Sequence, residues 1–334
     1  MTPTITAMRL GRLGDLVMTL PALQWLAEDA VLQVVVGEPY VDLLEGAVPG
    51  ARVVGDPAGL AEADVVLDLH GVPASRRLLP RVPARAAAIQ LATRKESHLR
   101  RPLLVPGLRS LMRPRRTWPE RHLEAARRAR AALGLPSRTA PSVRPSLAGL
   151  LPPDAGASGS PSVTAPVLGL VMGAGEATKR WPLDHFVRLA SLWTERTGGT
   201  CRLFAGPGED GLMDRVAGVV PGVERWLEGA DTPLRDLCHG LSGCDVVVAG
   251  DTGPLHLAGA LGRPVVGLFG PTPLDAGFWV WGDRGTALRT GVGCSPCSMH
   301  GQRGCWRGRR ACLEDLIPED VLAAALGLTV GVAA

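Results

Sequence analysis

From Ala249 to Pro273 the chain reads AGDTGPLHLAGALGRPVVGLFGPTP, and few folds accommodate that order. Asp245 to Ala249 (DVVVA) is a short β-branched run, the pattern of a strand buried on both faces of a parallel sheet. Gly250-Asp251-Thr252-Gly253-Pro254 breaks the run. Pro254 suits a first helical turn, where its missing N–H has no partner to lose. His256 to Leu261 continues the helix, Gly262 ends it, and Val265 to Phe269 is the next strand. A helix that starts behind glycine and a hydroxyl residue offers unpaired N–H groups and a positive dipole end, which suits a diphosphate. A plain β-α-β turn with Asp251 as N-cap fits the same letters.

The same unit occurs elsewhere. Ile5 to Leu10 predicts a first strand. Gly11-Arg12-Leu13-Gly14-Asp15 is a glycine turn, and Leu16 to Leu23 has helical apolar spacing. Asp15 there is either a helix cap or a carboxylate at a site mouth, where a general base would sit. Val31 to Val36 and Val65 to Leu69 predict further strands, and Trp118 to Leu133 a helix. The pattern restarts with a strand at Val167 to Met172. It is followed by the loop Gly173-Ala174-Gly175-Glu176-Ala177-Thr178-Lys179-Arg180-Trp181-Pro182 and a helix from Leu183 to Arg196. Cys201 to Ala205 reads as a strand, Gly206 to Asp210 as a turn, Thr232 to Cys244 as helical and Pro318 to Leu328 as a last helix. Strands alternating with helices indicate two α/β domains with helix-covered parallel sheets. At 334 residues, 46% of them apolar, the chain is long enough for both. Ser137 to Pro166, rich in Pro, Ser, Gly and Ala, reads as the connection between them.

Three motifs in this order resemble the heptosyltransferases, glycosyltransferase family 9. They are Arg9-Leu10-Gly11-Arg12-Leu13-Gly14-Asp15 with Pro21; Gly173 to Pro182 with Lys179 and Trp181-Pro182; and Asp251-Thr252-Gly253-Pro254-Leu255-His256-Leu257-Ala258 with Phe269-Gly270-Pro271-Thr272. The resemblance spans nearly the whole chain. It implies a GT-B fold, two Rossmann-like domains facing each other across a cleft, with ligands at the carboxyl ends of the strands. Expected divisions are residues 1–145 for an acceptor-binding domain and 146–166 for a linker. Residues 167–316 form a nucleotide-sugar domain, and 317–334 a helix crossing back to the first domain.

The activity implied is transfer of L-glycero-D-manno-heptose from ADP-heptose to an acceptor hydroxyl, with inversion, usually in the lipopolysaccharide inner core. Such a displacement needs a base on the acceptor and stabilisation of the departing diphosphate. By resemblance Asp15 is the base, with Gly14 beside it. No D-x-D occurs in the chain, so no metal is expected for catalysis. Lys179, one of only two lysines, and the N–H groups of Thr252 and Gly253 are expected to neutralise the leaving group. Asp251 and His256 would hold sugar hydroxyls or order the phosphate loop; His256 has a buried structural reading as well. Glu209 would accept from the ribose hydroxyls. Gly173, Ala174 and Gly175 would offer backbone contacts only. A relative with another nucleotide sugar, or a protein or natural-product acceptor, is the alternative.

The net charge of +4 conceals an asymmetry. Between His70 and Pro145 lie eighteen Arg or Lys against Glu96, Glu120 and Glu124. That excess suits an anionic glycolipid or the inner membrane face, or is a solvated surface. A nucleic-acid module is disfavoured, because the stretch holds one aromatic, Trp118. A nicotinamide dehydrogenase is disfavoured by the lack of G-x-G-x-x-G with a following acid. The start MTPTITAMRL lacks a leader pattern and no run of about 18 apolar residues occurs, so a cytoplasmic protein with reduced thiols is expected. Cys294-x2-Cys297-x7-Cys305-x6-Cys312 could hold a structural zinc or iron, or supply small buried hydrophobes, and the spacing leaves both open. Cys201, Cys238 and Cys244 read as core residues.

Overall fold

A computed structural model describes residues 2–93, 116–150, 165–206, 208–227, 233–301 and 304–330. The described chain divides into two units, with the change at Leu150 and Leu151. Much of the basic stretch, 94–115 with Lys95 and Glu96, lies outside the described residues.

In the first unit β1 (Thr4–Arg9) is buried along its whole length. It pairs in parallel with β2 (Val31–Val36) on one side and β4 (Ala63–Asp68) on the other. Adding β3 (Arg52–Val54) and β5 (Ala84–Ala92) gives the order β3-β2-β1-β4-β5. The expected helix after β1 is two helices, α1 (Leu13–Val17) and α2 (Leu20–Ala27). Pro21 has no N–H to offer the Val17 carbonyl, and Thr19 Oγ1 donates back to Leu16 O at 2.6 Å, so the ladder breaks between them. The amphipathic helix at Trp118–Ala132 carries a Thr117–Glu120 capping box. Residues 146–150, expected in the linker, pack onto this unit: Leu147 is buried, and Gln24 Nε2 donates to Ser146 O at 3.0 Å. Residues 151–164 of that segment lie outside the described residues.

The second unit repeats the topology in full. Its strands are β6 (Val167–Val171), β7 (Thr200–Ala205), β8 (Glu224–Leu227), β9 (Val246–Gly250), β10 (Val265–Leu268) and β11 (Gly285–Leu288), ordered β11-β10-β9-β6-β7-β8 and all parallel. Each sheet therefore reverses its winding next to its first strand, between β1 and β4 in one unit and between β6 and β9 in the other. At such a point the connections leave on opposite faces and open a crevice at the strand ends. Among the described residues no helix is long and apolar enough to cross a membrane.

The last helix, Pro318–Val330, is part of the second unit. Val321 and Ala325 are fully buried in one cluster with Leu168, Phe186, Trp193, Val246 and Val266. The reason is compositional: the helix is apolar on most sides and covers a sheet face that otherwise meets water. Trp181 Nε1 adds a bond to Leu316 O at 2.9 Å just before it. Placing an unpaired charge in this cluster is costly. Val321→Asp is expected to release the β6 and β9 amides to hydrogen exchange while the β1 and β2 amides keep their protection, as read by exchange mass spectrometry.

Candidate functional site

At the second unit's reversal point two loops meet. The Lys179 loop follows β6 and the Asp251 turn follows β9, which lies beside it with Val171 opposite Ala249. Gly250 lets them approach: a Cβ there would lie 3.0 Å from the Lys179 carbonyl oxygen. Lys179 Nζ donates to Asp251 Oδ2 at 2.8 Å and to the Asp251 carbonyl oxygen at 3.0 Å. Both side chains are mostly enclosed, 14% and 17% exposed, so the pair is only partly screened by water. His256 Nε2 faces Asp251 Oδ1 at 3.9 Å. Its ring is 3% exposed and packs beside Phe278 and Trp281, each centroid 6.1 Å away. Burial alone would push the Asp251 carboxyl up, but Lys179, His256 and Thr272 outweigh it and hold the carboxyl below its ordinary value.

The eight-residue helix Gly253–Ala260 begins here, with Pro254 in its first turn. Asp251 does not cap it. Thr252 is the N-cap and makes no side-chain cap bond; its hydroxyl turns instead to Gly250 O at 3.3 Å. A lysine ammonium and a helix N-terminus thus share one end of the sheet, a combination suited to phosphate oxygens.

Glu209, after β7, pairs with Arg180 Nη2 at 3.0 Å and accepts from the Gly206 amide at 3.0 Å. Gly173 leaves room for that carboxylate in its present position, because a Cβ there would fall 1.6 Å from Glu209 Oε2. Ala174 supplies its carbonyl to Arg180 Nε at 2.9 Å, and Gly175 borders open space.

In the first unit, Asp15 and Gly14 sit in the first turns of α1. Arg9 Nη2 contacts Asp15 Oδ1 at 2.9 Å, and Arg9 Nη1 donates to Leu69 O at 2.9 Å. Arg9 is buried, which pulls its guanidinium below the ordinary value although Asp15 and Asp68 pull the other way. Arg12, with φ 48°, holds a left-handed conformation that costs a non-glycine residue free energy. Asp68, at the end of β4, is fixed by the amides of His70 (2.9 Å) and Gly71 (2.8 Å) and by Ser75 Oγ (2.9 Å). The sequence motifs contain Arg9, Arg180 and Thr272 without assigning them a role, and contain neither Asp68 nor Ser75. An arginine closing a buried strand was the available signal for the first.

None of the seven cysteines forms a disulfide. Cys201, Cys238 and Cys244 are buried as expected, and burial pushes the thiols of Cys201 and Cys244 up to about 12. Burial, with Cys297, Cys294 and Cys305 nearby, pushes Cys312 up to about 11. Among the described residues, however, no three His, Cys, Asp or Glu are gathered so as to hold a metal ion.

Sheets wound in this order belong to the class of doubly wound α/β folds, which open a ligand crevice at the strand ends. The particular family follows from comparison with known proteins. The model of glycosyltransferase family 9 (heptosyltransferase) matches residues 89–304, and the chain belongs to that family. It is 26% identical over 165 residues to lipooligosaccharide heptosyltransferase 2 of Campylobacter jejuni, a match covering 48% of this chain and 50% of that protein. It is 34% identical over 134 residues to lipopolysaccharide heptosyltransferase 1 of Pseudomonas aeruginosa, covering 40% and 36%. The chain thus spans about half or less of the length of these curated relatives. Among solved structures, the Escherichia coli ADP-heptose lps heptosyltransferase II superposes with a TM-score of 0.68 at 20% identity, over 99% of this chain and all of that one (100%).

Two outcomes follow. A carboxyl held below its unfolded value contributes stability above the unfolded value, near pH 3.9, and loses it as pH falls through the folded one. Asp251→Asn is therefore expected to flatten the loss of stability between about pH 5 and pH 2, measured by urea unfolding across that range. Cysteine alkylation at pH 8, mapped by peptide mass spectrometry, is expected to label Cys294 and Cys305 well before Cys201, Cys244 and Cys312.

Proposed function

We propose that this chain is an inverting heptosyltransferase, taking L-glycero-D-manno-heptose from the ADP sugar to a hydroxyl of the lipopolysaccharide inner core. The observation that carries the reading is the Lys179–Asp251 pair beside a helix N-terminus without a side-chain cap. Asp251 holds Nζ at the strand ends, ready to meet a diphosphate oxygen. The amides of Thr252 and Gly253 supply further donors, so negative charge that builds on the leaving group meets positive charge already in place. Glu209, fixed by Arg180 and the Gly206 amide, offers its remaining accepting capacity to the ribose hydroxyls.

Asp15 is the general base. Arg9 occupies its Oδ1, while 22% exposure of the side chain leaves room for an acceptor hydroxyl. In the reaction the acceptor oxygen bonds to the anomeric carbon as its proton passes to Asp15. The bond from that carbon to the phosphate oxygen breaks, and its electron pair leaves with ADP. The relatives' names place their own acceptors in lipopolysaccharide or lipooligosaccharide, which favours the same acceptor class here. An arginine-rich first half suits an anionic glycolipid at the inner membrane face.

Asp15→Ala is expected to lower turnover by at least about a hundredfold while leaving ADP-heptose affinity nearly unchanged. Lys179→Ala is expected to weaken the donor instead. Steady-state kinetics and calorimetry separate the two, and a rate near wild type in Asp15→Ala would rule the base assignment out. Native mass spectrometry with a panel of nucleotide sugars tests donor identity.

A further inference from the structure

Lys179 is not held by Asp251 alone. Its loop is a short 3-10 turn, Ala177–Lys179, whose own backbone bonds are Lys179 N to Glu176 O at 2.9 Å and Arg180 N to Ala177 O at 3.2 Å. On one side it borders a cavity of about 430 Å³ lined in part by Met172, Trp181, Phe186 and Leu212.

The cysteine-bearing segment supplies the restraint from more than 120 positions away in sequence. Arg310 Nη1 donates to Ala177 O at 2.6 Å and to Arg180 O at 3.0 Å, tying together carbonyls on both sides of Lys179. Thr178 Oγ1 donates to Gly301 O. Gly301 has φ +74°, and a Cβ there would lie 2.8 Å from Lys179 Cγ and 2.9 Å from Lys179 Cε. The aliphatic stem of Lys179 therefore runs directly over the glycine backbone. That turn is itself fixed. The Gly301 amide donates to Ser298 Oγ at 2.9 Å, and the amides of Cys297 and Ser298 donate to Pro271 O at 2.9 and 3.0 Å. Ser295 Oγ donates to Gly270 O at 2.6 Å. The segment thus spans from the exit of β10 to the Lys179 loop after β6. A lysine side chain pays a large rotamer-entropy cost when ordered, and packing its stem lowers the cost of aiming Nζ.

We infer that Arg310, Gly301 and Thr178 are positioning residues for Lys179, so that the segment between Cys294 and Cys312 acts on donor-phosphate binding without touching the donor. This rests on the reading of Lys179 as a phosphate ligand. The test is calorimetric titration of the full-length protein with ADP, with melting temperature recorded for every variant. Arg310→Ala removes charge-assisted bonds on both flanks of the lysine and is expected to weaken ADP about tenfold, with Arg310→Lys in between. Thr178→Val, which keeps the side-chain shape and loses only the hydroxyl, is expected to weaken it by a smaller factor. Gly301→Ala is expected to weaken it as well. In a Lys179→Ala background the same substitutions are expected to cost no further ADP affinity, because they act through that side chain.

Wild-type ADP affinity in Arg310→Ala and Thr178→Val, with Lys179→Ala weak, overturns this inference alone. So does a loss that persists undiminished without the lysine. Wild-type affinity in Lys179→Ala overturns both the phosphate reading and the inference. If Gly301→Ala fails to fold, Thr178→Val decides.

Discussion

An ammonium and a carboxylate joined across two neighbouring strand ends organise the second unit's surface. Lys179 and Asp251 are 72 positions apart and meet because β6 and β9 are adjacent. An exposed pair of this kind contributes little. Here both partners are largely enclosed, a histidine faces the carboxylate, and the ammonium also reaches a carbonyl oxygen. The arrangement restrains a flexible cation at a place where the backbone already offers free donors. A glycine at position 250 is what allows the two loops to come so close.

Topology repeats the device with different chemistry. In the first unit the strand ends flanking the reversal point carry Arg9 and Asp15 on one side and Asp68 with its three donors on the other. There the cation is buried, 4% exposed, and the carboxylate more open, at 22%.

The central strands could be read from the sequence because burial on both faces demands continuous apolar, β-branched runs, as in LQVVV of β2 or VVVA of β9. Edge strands escaped for the opposite reason. Ala84–Ala92 is exposed along most of its length and alanine-rich, and Arg52–Val54, Glu224–Leu227 and Gly285–Leu288 are too short to show a period. Lys179, Asp251 and His256 were identified by motif. Their mutual pairing was not, because the local pattern D-T-G-P favours Asp251 as a cap and only strand adjacency reveals the lysine. Arg310 and Gly301 carried no local signal for acting on a loop at Ala177–Lys179.

The central claim is that the second unit's reversal point is a diphosphate site built on Lys179. A crystal structure with ADP bound tests it most directly. The account predicts phosphate oxygens within hydrogen-bond distance of Lys179 Nζ and of the Thr252 or Gly253 amide, with Asp251 still holding the lysine. Diphosphate bound elsewhere on the chain, with the Lys179–Asp251 pair untouched, would contradict it.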